Sequence, residues 1–176
     1  MTLAERCARI ELLLLDVDGV LTDGGIIYDD AGRELKQFHV RDGSALKFWQ
    51  ATGKRAAILT GRTSGIVDVR AREIGIAPVV QGAADKLAAY RDILVQTKKQ
   101  PSQACFVADD LPDLPVMSHC GLAVAVADAC AEVVAEAHFV TRARGGKGAV
   151  REVVELILRS QGHWAEIVER YRNERL

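Results

Sequence analysis

Short, largely apolar runs alternate along this chain with longer stretches of helical periodicity, and that alternation constrains the fold more than any other feature. The runs are Ile10–Leu15, Ala56–Leu59, Pro78–Val80, Cys105–Val107, Leu122–Val126 and His138–Val140. Between and after them, Ser44–Ala51, Ser64–Ile74, Ala84–Val95, Ala129–Ala135 and Gly148–Leu158 repeat apolar residues at helical spacing. A strand without polar alternation has no face to give to water, so both faces must be covered. Apolar strands alternating with helices predict βαβ units in a doubly wound, mostly parallel α/β sheet. At 176 residues, with no Pro/Gly/Ser-rich linker and no internal repeat, the chain predicts one domain over 1–176.

One segment departs from the alternation. Between Gly24 and Val40, Ile26-Ile27-Tyr28 and Leu35 with Phe38-His39-Val40 flank the turn-forming Asp29-Asp30-Ala31-Gly32. Two β-prone runs about an Asp/Gly turn predict a hairpin inserted over 24–40. It follows the end of the first strand, and open α/β sheets bind their ligands at the carboxyl ends of strands. The expectation is a functional hairpin rather than a decorative one.

The chemistry-bearing residues fall at the same kind of place. Asp16-Val17-Asp18-Gly19-Val20 follows the first apolar run, Thr60-Gly61-Arg62 the second, and Asp109-Asp110-Leu111-Pro112-Asp113 another. Lys86 stands near the start of a later helix. Alone, the Asp-x-Asp-Gly run would serve equally well as a turn. Together, several carboxylates, a hydroxyl, a lysine and exposed loop amides suit phosphoryl transfer, which needs positioning and charge neutralisation more than bond-making power. Hard oxygen ligands beside a phosphate suit Mg²⁺. As a sheet-edge lysine, Lys86 is expected to matter to catalysis and little to core stability.

In order and spacing, Asp16-Val17-Asp18-Gly19-Val20, Thr60, Lys86 and Asp109-Asp110 resemble the four motifs of the haloacid dehalogenase superfamily. The resemblance implies that Asp16 is the nucleophile and Asp18 the general acid and base. It implies that Asp16, the Asp18 backbone carbonyl and Asp109 bind Mg²⁺, with Asp110 orienting metal-bound water. Thr60 and Lys86 would hold phosphoryl oxygens. The chain leaves no room for a cap domain. The hairpin, Thr60-Gly61-Arg62 with Arg70, Gln81-Gly82, and the Gly145–Glu152 segment resemble the capless phosphatases that act on 3-deoxy-D-manno-octulosonate 8-phosphate. That likeness implies a phosphorylated sugar acid as substrate, Gly61, Arg62 and Arg70 as substrate contacts, and a homotetramer in which neighbouring subunits cover the sites. Ala108 stands where the pattern has glycine, a position that a left-handed backbone would strain.

Other readings remain open. A phosphoacceptor receiver also uses an acidic pair, Thr and Lys, but there the acidic pair comes first and the lysine last. A phosphatase of a nine-carbon sugar acid phosphate, of the N-acetylneuraminate 9-phosphate type, would share the catalytic motifs. A silent interaction subunit would be expected to have lost some of them. Arg62 and Arg70 could be solvated charges, but ligand contact is the favoured reading, more so for Arg62, which follows a motif at the sheet edge; Gly145-Gly146-Lys147-Gly148 reads equally as a flexible loop or as amides offered to an anion at a helix N-terminus. The four histidines show no ligand or triad spacing.

Bulk properties exclude several classes. With 23 Lys and Arg against 24 Asp and Glu, the formal charge is −1, which disfavours nucleic-acid binding. Met1–Arg9 is charged, and Leu12–Leu15 is too short for a membrane span or a signal segment. The cysteines Cys7, Cys105, Cys120 and Cys130 form no C-x-x-C pair and read as reduced thiols of a cytoplasmic protein. The segment after Ser160 carries Trp164, Ile167, Val168 and Tyr171 at helical spacing. It is expected to be a surface or interface helix, or a tail reaching a neighbouring subunit.

Overall fold

A computed structural model describes residues 1–173. The main sheet has six strands, β1 (Leu12–Leu15), β4 (Arg55–Leu59), β5 (Val79–Val80), β6 (Ala104–Ala108), β7 (Leu122–Ala125) and β8 (Phe139–Val140). Their order is β5-β4-β1-β6-β7-β8, and every pairing is parallel. β2 (Ile27–Tyr28) and β3 (Glu34–Leu35) form a separate antiparallel hairpin directly after β1.

The strand pleat sorts the apolar runs into two cores. Leu13, Leu15, Ala56, Ile58, Cys105, Val107, Leu122 and Val124 face one side. There they meet α1 (Leu3–Ala8), α2 (Val40–Ala51), α3 (Gly65–Ile74), α7 (Ala149–Ser160) and α8 (Trp164–Asn173). Leu12, Leu14, Ala57, Leu59, Phe106 and Ala123 face the other side, against α4 (Lys86–Thr97), α5 (Leu114–Met117) and α6 (Ala131–Glu136). Burying each Leu, Val or Ile of these strands contributes about 1.5–3 kcal/mol. That is why strands of two to five residues suffice to order the sheet. Helices on both faces of a parallel sheet are the doubly wound architecture that the apolar strands predict.

The differences from expectation lie at element ends. Met1–Arg9 holds a helix: the Thr2 side chain accepts from the Glu5 amide while Glu5 accepts from the Thr2 amide, a capping box. α2 begins at Val40, four residues before the apolar periodicity at Ser44, and takes over the end of the expected hairpin segment. α4 begins at Lys86 because Asp85 caps it, accepting from the Ala88 amide. Ala108 is the last residue of β6, and Lys98 is the only non-glycine with positive φ among the described residues. Alanine therefore fits at 108 without strain.

The segment after Ser160 folds back on its own chain rather than standing free. Phe48 meets Trp164 and Tyr171 edge-on, at centroid separations of 6.1 and 5.4 Å. The Arg151 guanidinium lies over both Phe48 and Trp164. Gln161 donates to the carbonyls of Cys7 and Ile10, tying the start of this segment to the end of α1. The final three residues of the expected tail lie outside the described residues.

Candidate active site

Parallel pairing sends every strand's carboxyl end to one edge, and the side chains with chemistry gather there. Asp16 follows β1, Thr60 follows β4, Asp109 follows β6, and Lys86 opens α4. One cleft is lined by Asp16, Asp18, Thr60, Gly61, Arg62 and Lys86 together with Gly24, Asp109, Asp110, Pro112 and Asp113.

The loop after β1 is tightly wound. The Val17 carbonyl accepts from the amides of Val20, Leu21 and Thr22. Gly19 has φ +89°, and a Cβ there would lie 2.0 Å from Asp109 Oδ2. Only glycine meets both the conformation and the approach. Asp16 is 7% exposed. Its Oδ1 accepts from the Val17 amide at 2.7 Å and its Oδ2 from Lys86 Nζ at 2.8 Å.

Lys86 also donates to Asp113 Oδ1 at 2.6 Å. Asp113 is fully buried, and its Oδ2 accepts from the amides of Asp109 and Asp110 at 3.2 and 3.5 Å. Burial disfavours the Lys86 charge, but Asp16 and Asp113 outweigh it and raise its pKa. Lys86 is thus a buried ionic anchor, not the superficial edge lysine expected from its position. Asp110 is exposed and caps the turn Leu111–Asp113, accepting from the Leu111 amide at 2.9 Å.

Negative charge exceeds positive at the centre. Carboxylate oxygens of Asp16, Asp109 and Asp113 all lie within 4.8 Å of one another, and the single charge of Lys86 pairs with Asp16 and Asp113. Asp109 Oδ1 is buried without a hydrogen-bond partner. Burial, then the charges of Asp16 and Asp113, push the Asp109 pKa up to about 7. Burial and Asp16 also raise that of Asp113. An orphaned buried oxygen among repelling carboxylates fits a hard divalent cation, which would supply the missing positive charge.

Asp18 lies in the cleft, where its carboxylate pairs with Lys36 of the hairpin and with Arg62. Arg62 Nη2 also meets Glu34 Oε1 at 2.9 Å. Arg70 is not in the cleft. It pairs with Glu73 at 2.9 Å, lies over the Phe38 ring and packs close to Gly43.

The glycine-rich segment before α7 is neither a loose loop nor an open anion site. A Cβ on Gly145 would lie 1.6 Å from the Gly19 carbonyl oxygen, and one on Gly146 would lie 2.4 Å from the Thr22 carbonyl carbon. Gly146 donates to the Val20 carbonyl at 2.9 Å. The amides of Gly148 and Arg151 are taken by the two oxygens of buried Asp42, at 3.2 and 2.7 Å. The anion at this helix N-terminus is therefore the chain's own. The segment braces the loop after Asp16 from behind.

Neither Asp113 nor Lys36 holds a place in the four motifs. Asp113 had a signal: Pro112, two residues after Asp109-Asp110, predicts a helical turn, which would carry Asp113 back to the strand end. Lys36, beside Leu35 in an otherwise β-prone hairpin, had none.

A family model for haloacid dehalogenase-like hydrolases matches residues 64–153. The chain is 47% identical over 157 residues to the 3-deoxy-D-manno-octulosonate 8-phosphate phosphatase KdsC of Yersinia pestis, covering 89% of this chain and 84% of that protein. The chain belongs to the haloacid dehalogenase-like hydrolase family. Among solved structures of this hydrolase family, that of a Moraxella catarrhalis 3-deoxy-D-manno-octulosonate 8-phosphate phosphatase contains magnesium, phosphate and the free sugar acid. It superposes with a TM-score of 0.93 at 39% identity, covering 96% of this chain and 97% of that one. A cobalt-bound enzyme of the same activity from Haemophilus influenzae superposes at 0.87 with 39% identity, covering 89% and 92%.

Proposed function

We propose that this hydrolase is a Mg²⁺-dependent phosphomonoesterase that cleaves 3-deoxy-D-manno-octulosonate 8-phosphate to the sugar acid and phosphate, a step in making lipopolysaccharide precursor. The observation that carries the reading is the Asp16–Lys86–Asp113–Asp109 cluster at the carboxyl edge, in a chain so close to named enzymes of that activity.

Asp16 attacks phosphorus through the oxygen that the Val17 amide does not hold. As the Asp16–phosphorus bond forms, the bond to the sugar oxygen breaks, and Asp18 gives that oxygen its proton. In the second step Asp18 takes a proton from water, water oxygen bonds to phosphorus, and Asp16 leaves as carboxylate. Thr60, the Gly61 backbone and Lys86 hold the phosphoryl oxygens, and Lys86 shifts its share of charge from Asp16 to the transferring group. Asp16, Asp109 and Asp113 would hold the cation, together with the Asp18 carbonyl that the family pattern implies. Bound there, Mg²⁺ offsets the repulsion between these carboxylates and a phosphate dianion. Asp110 orients water at the rim. Arg62 meets the substrate at the cleft mouth. Arg70, outside the cleft, would reach a substrate only through a neighbouring copy.

Phosphate release from a panel of sugar-acid phosphates tests the assignment. The 8-phosphate of the octulosonate should give the highest kcat/KM, and a preference for a nine-carbon 9-phosphate would replace the substrate named here. Excess chelator should abolish turnover and Mg²⁺ restore it.

The raised Asp109 pKa adds a pH dependence. In the metal-free protein Asp109 is largely protonated below about 7, and the cation must displace that proton. Mg²⁺ affinity should therefore weaken by up to about tenfold per pH unit as pH falls below that value. Calorimetry at pH 6 in buffers of different ionisation enthalpy should show close to one proton released per Mg²⁺. Release of none would remove Asp109 from the ligand set.

We read residues 1–176 as one cytoplasmic phosphatase domain; no helix among the described residues is long and apolar enough to cross a membrane. The hairpin leaves Ile26, Ile27, Tyr28 and Leu35 about half exposed, at 53, 47, 59 and 52%. A two-stranded ribbon with such a surface is marginal alone. Pairing of hairpins in a homotetramer would cover it, and light scattering would show the mass.

A further inference from the structure

The hairpin carries one buried charge. Lys36 follows β3, and its side chain is 2% exposed although both strands of the hairpin lie at the surface. Its ammonium donates to Asp18 Oδ1 and lies 3.3 Å from Glu34 Oε1. Arg62 completes a ring, with Nη2 2.9 Å from Glu34 Oε1 and Nε 3.4 Å from Asp18 Oδ2. Two cations and two carboxylates thus alternate around the cleft mouth, and each oxygen of Asp18 has its own cation. The hairpin needs no such lysine for itself. Its turn is closed by Asp29, which takes the amides of Ala31 and Arg33 and the Arg33 side chain. Desolvating an ammonium without a partner is costly, so the pairing with Asp18 is what keeps Lys36 there.

We propose that Lys36 is a positioning residue for Asp18, delivered by the hairpin to fix the carboxylate in the orientation from which it serves the sugar oxygen. The inference rests on the assignment of Asp18 as acid and base. A proton donor must lie within about 2.6–3.2 Å of its acceptor, and small misplacements are expensive in rate. Asp18 stands beside the negative centre of Asp16 and Asp109, which repels a free carboxylate towards solvent. Lys36 and Arg62 hold it against that repulsion. Without Lys36, Asp18 and Glu34 would share Arg62 alone, and Asp18 would lose the contact that fixes its Oδ1.

The test compares two leaving groups. The sugar alkoxide needs a proton as it departs, whereas p-nitrophenolate departs without one. kcat/KM reports only the steps up to loss of the leaving group, so it isolates the donor. Lys36→Met should lower kcat/KM roughly tenfold or more for 3-deoxy-D-manno-octulosonate 8-phosphate and by no more than about threefold for p-nitrophenyl phosphate. Lys36→Arg should restore most of the loss, and Asp18→Asn should show the same leaving-group pattern more strongly. Retained aryl-phosphate activity also shows that the variant is folded. Equal loss on both substrates, or no loss, in Lys36→Met overturns the inference while a selective Asp18→Asn leaves the assignment of Asp18 standing. Absence of leaving-group dependence in Asp18→Asn overturns both.

Discussion

Asp16→Asn should lower kcat by roughly 10⁴-fold or more, the scale of removing a covalent nucleophile, while the protein stays folded. The stability half of this expectation comes from the geometry. Asp16 lies within 4.8 Å of the Asp109 and Asp113 carboxylates, and its charge raises the pKa of both. Neutralising it relieves that repulsion, and Lys86 keeps its bond to Asp113. The metal-free variant should therefore melt no lower than the parent near pH 7, and its Mg²⁺ affinity should fall. Phosphate release and thermal melts with and without Mg²⁺ measure all three. Turnover near that of the parent would mean that Asp16 is not the nucleophile.

Lys86→Ala should differ in its effect on stability, costing both rate and fold stability. Lys86 touches Asp16 and Asp113, and its side chain is 6% exposed. Its loss should lower kcat/KM by about 10²–10³-fold, comparable to losing one preorganised donor to a developing charge. It should also destabilise the metal-free protein by about 3 kcal/mol, because breaking a buried ion pair strands the partner charges. Adding Mg²⁺ should recover much of the stability and little of the rate. An unchanged melting temperature without metal would show that Asp113 finds another partner or a proton. An unchanged kcat/KM would leave Lys86 as architecture only.

That second expectation differs from the one that sequence supports, and the difference shows where legibility ends. The strands were readable because a run such as Leu12–Leu15 has no polar residue to offer solvent, so its type and its double burial follow together. The gathering of Asp16, Thr60, Lys86 and Asp109 at one edge followed from parallel pairing alone. Burial of Lys86 did not, because a lysine at a helix start is ordinarily solvated. It is buried here because Asp113 reaches it from a turn two elements away in the chain. Lys36 was hidden for the same reason: its partner Asp18 is 18 positions away, across an inserted hairpin. The anion at the start of α7 was foreseeable as a type of contact, but not that Asp42 would be the anion. Arg70 stands on an α3 face that turns towards Phe38 and Gly43 within its own chain, a placement that its sequence position does not reveal. Pairwise contacts between distant segments leave no periodic trace in sequence.

The close fit of Gly145 and Gly146 behind the Asp16 loop has a consequence for biosynthesis. The Asp16 loop is made early, but its backing arrives only when residues 145–148 have been made and Asp42 has received the amides of Gly148 and Arg151, 106 and 109 positions away. Contacts of such long sequence separation form late, after most of the loop-closure entropy has been lost. A nascent chain cut short before this point would hold Asp16, Thr60, Lys86 and Asp109 but would lack the wall behind the Asp16 loop. Competence to hydrolyse phosphate esters is thus tied to synthesis of the 145–151 segment, and a ribosome-bound fragment that ends before Gly145 should be silent.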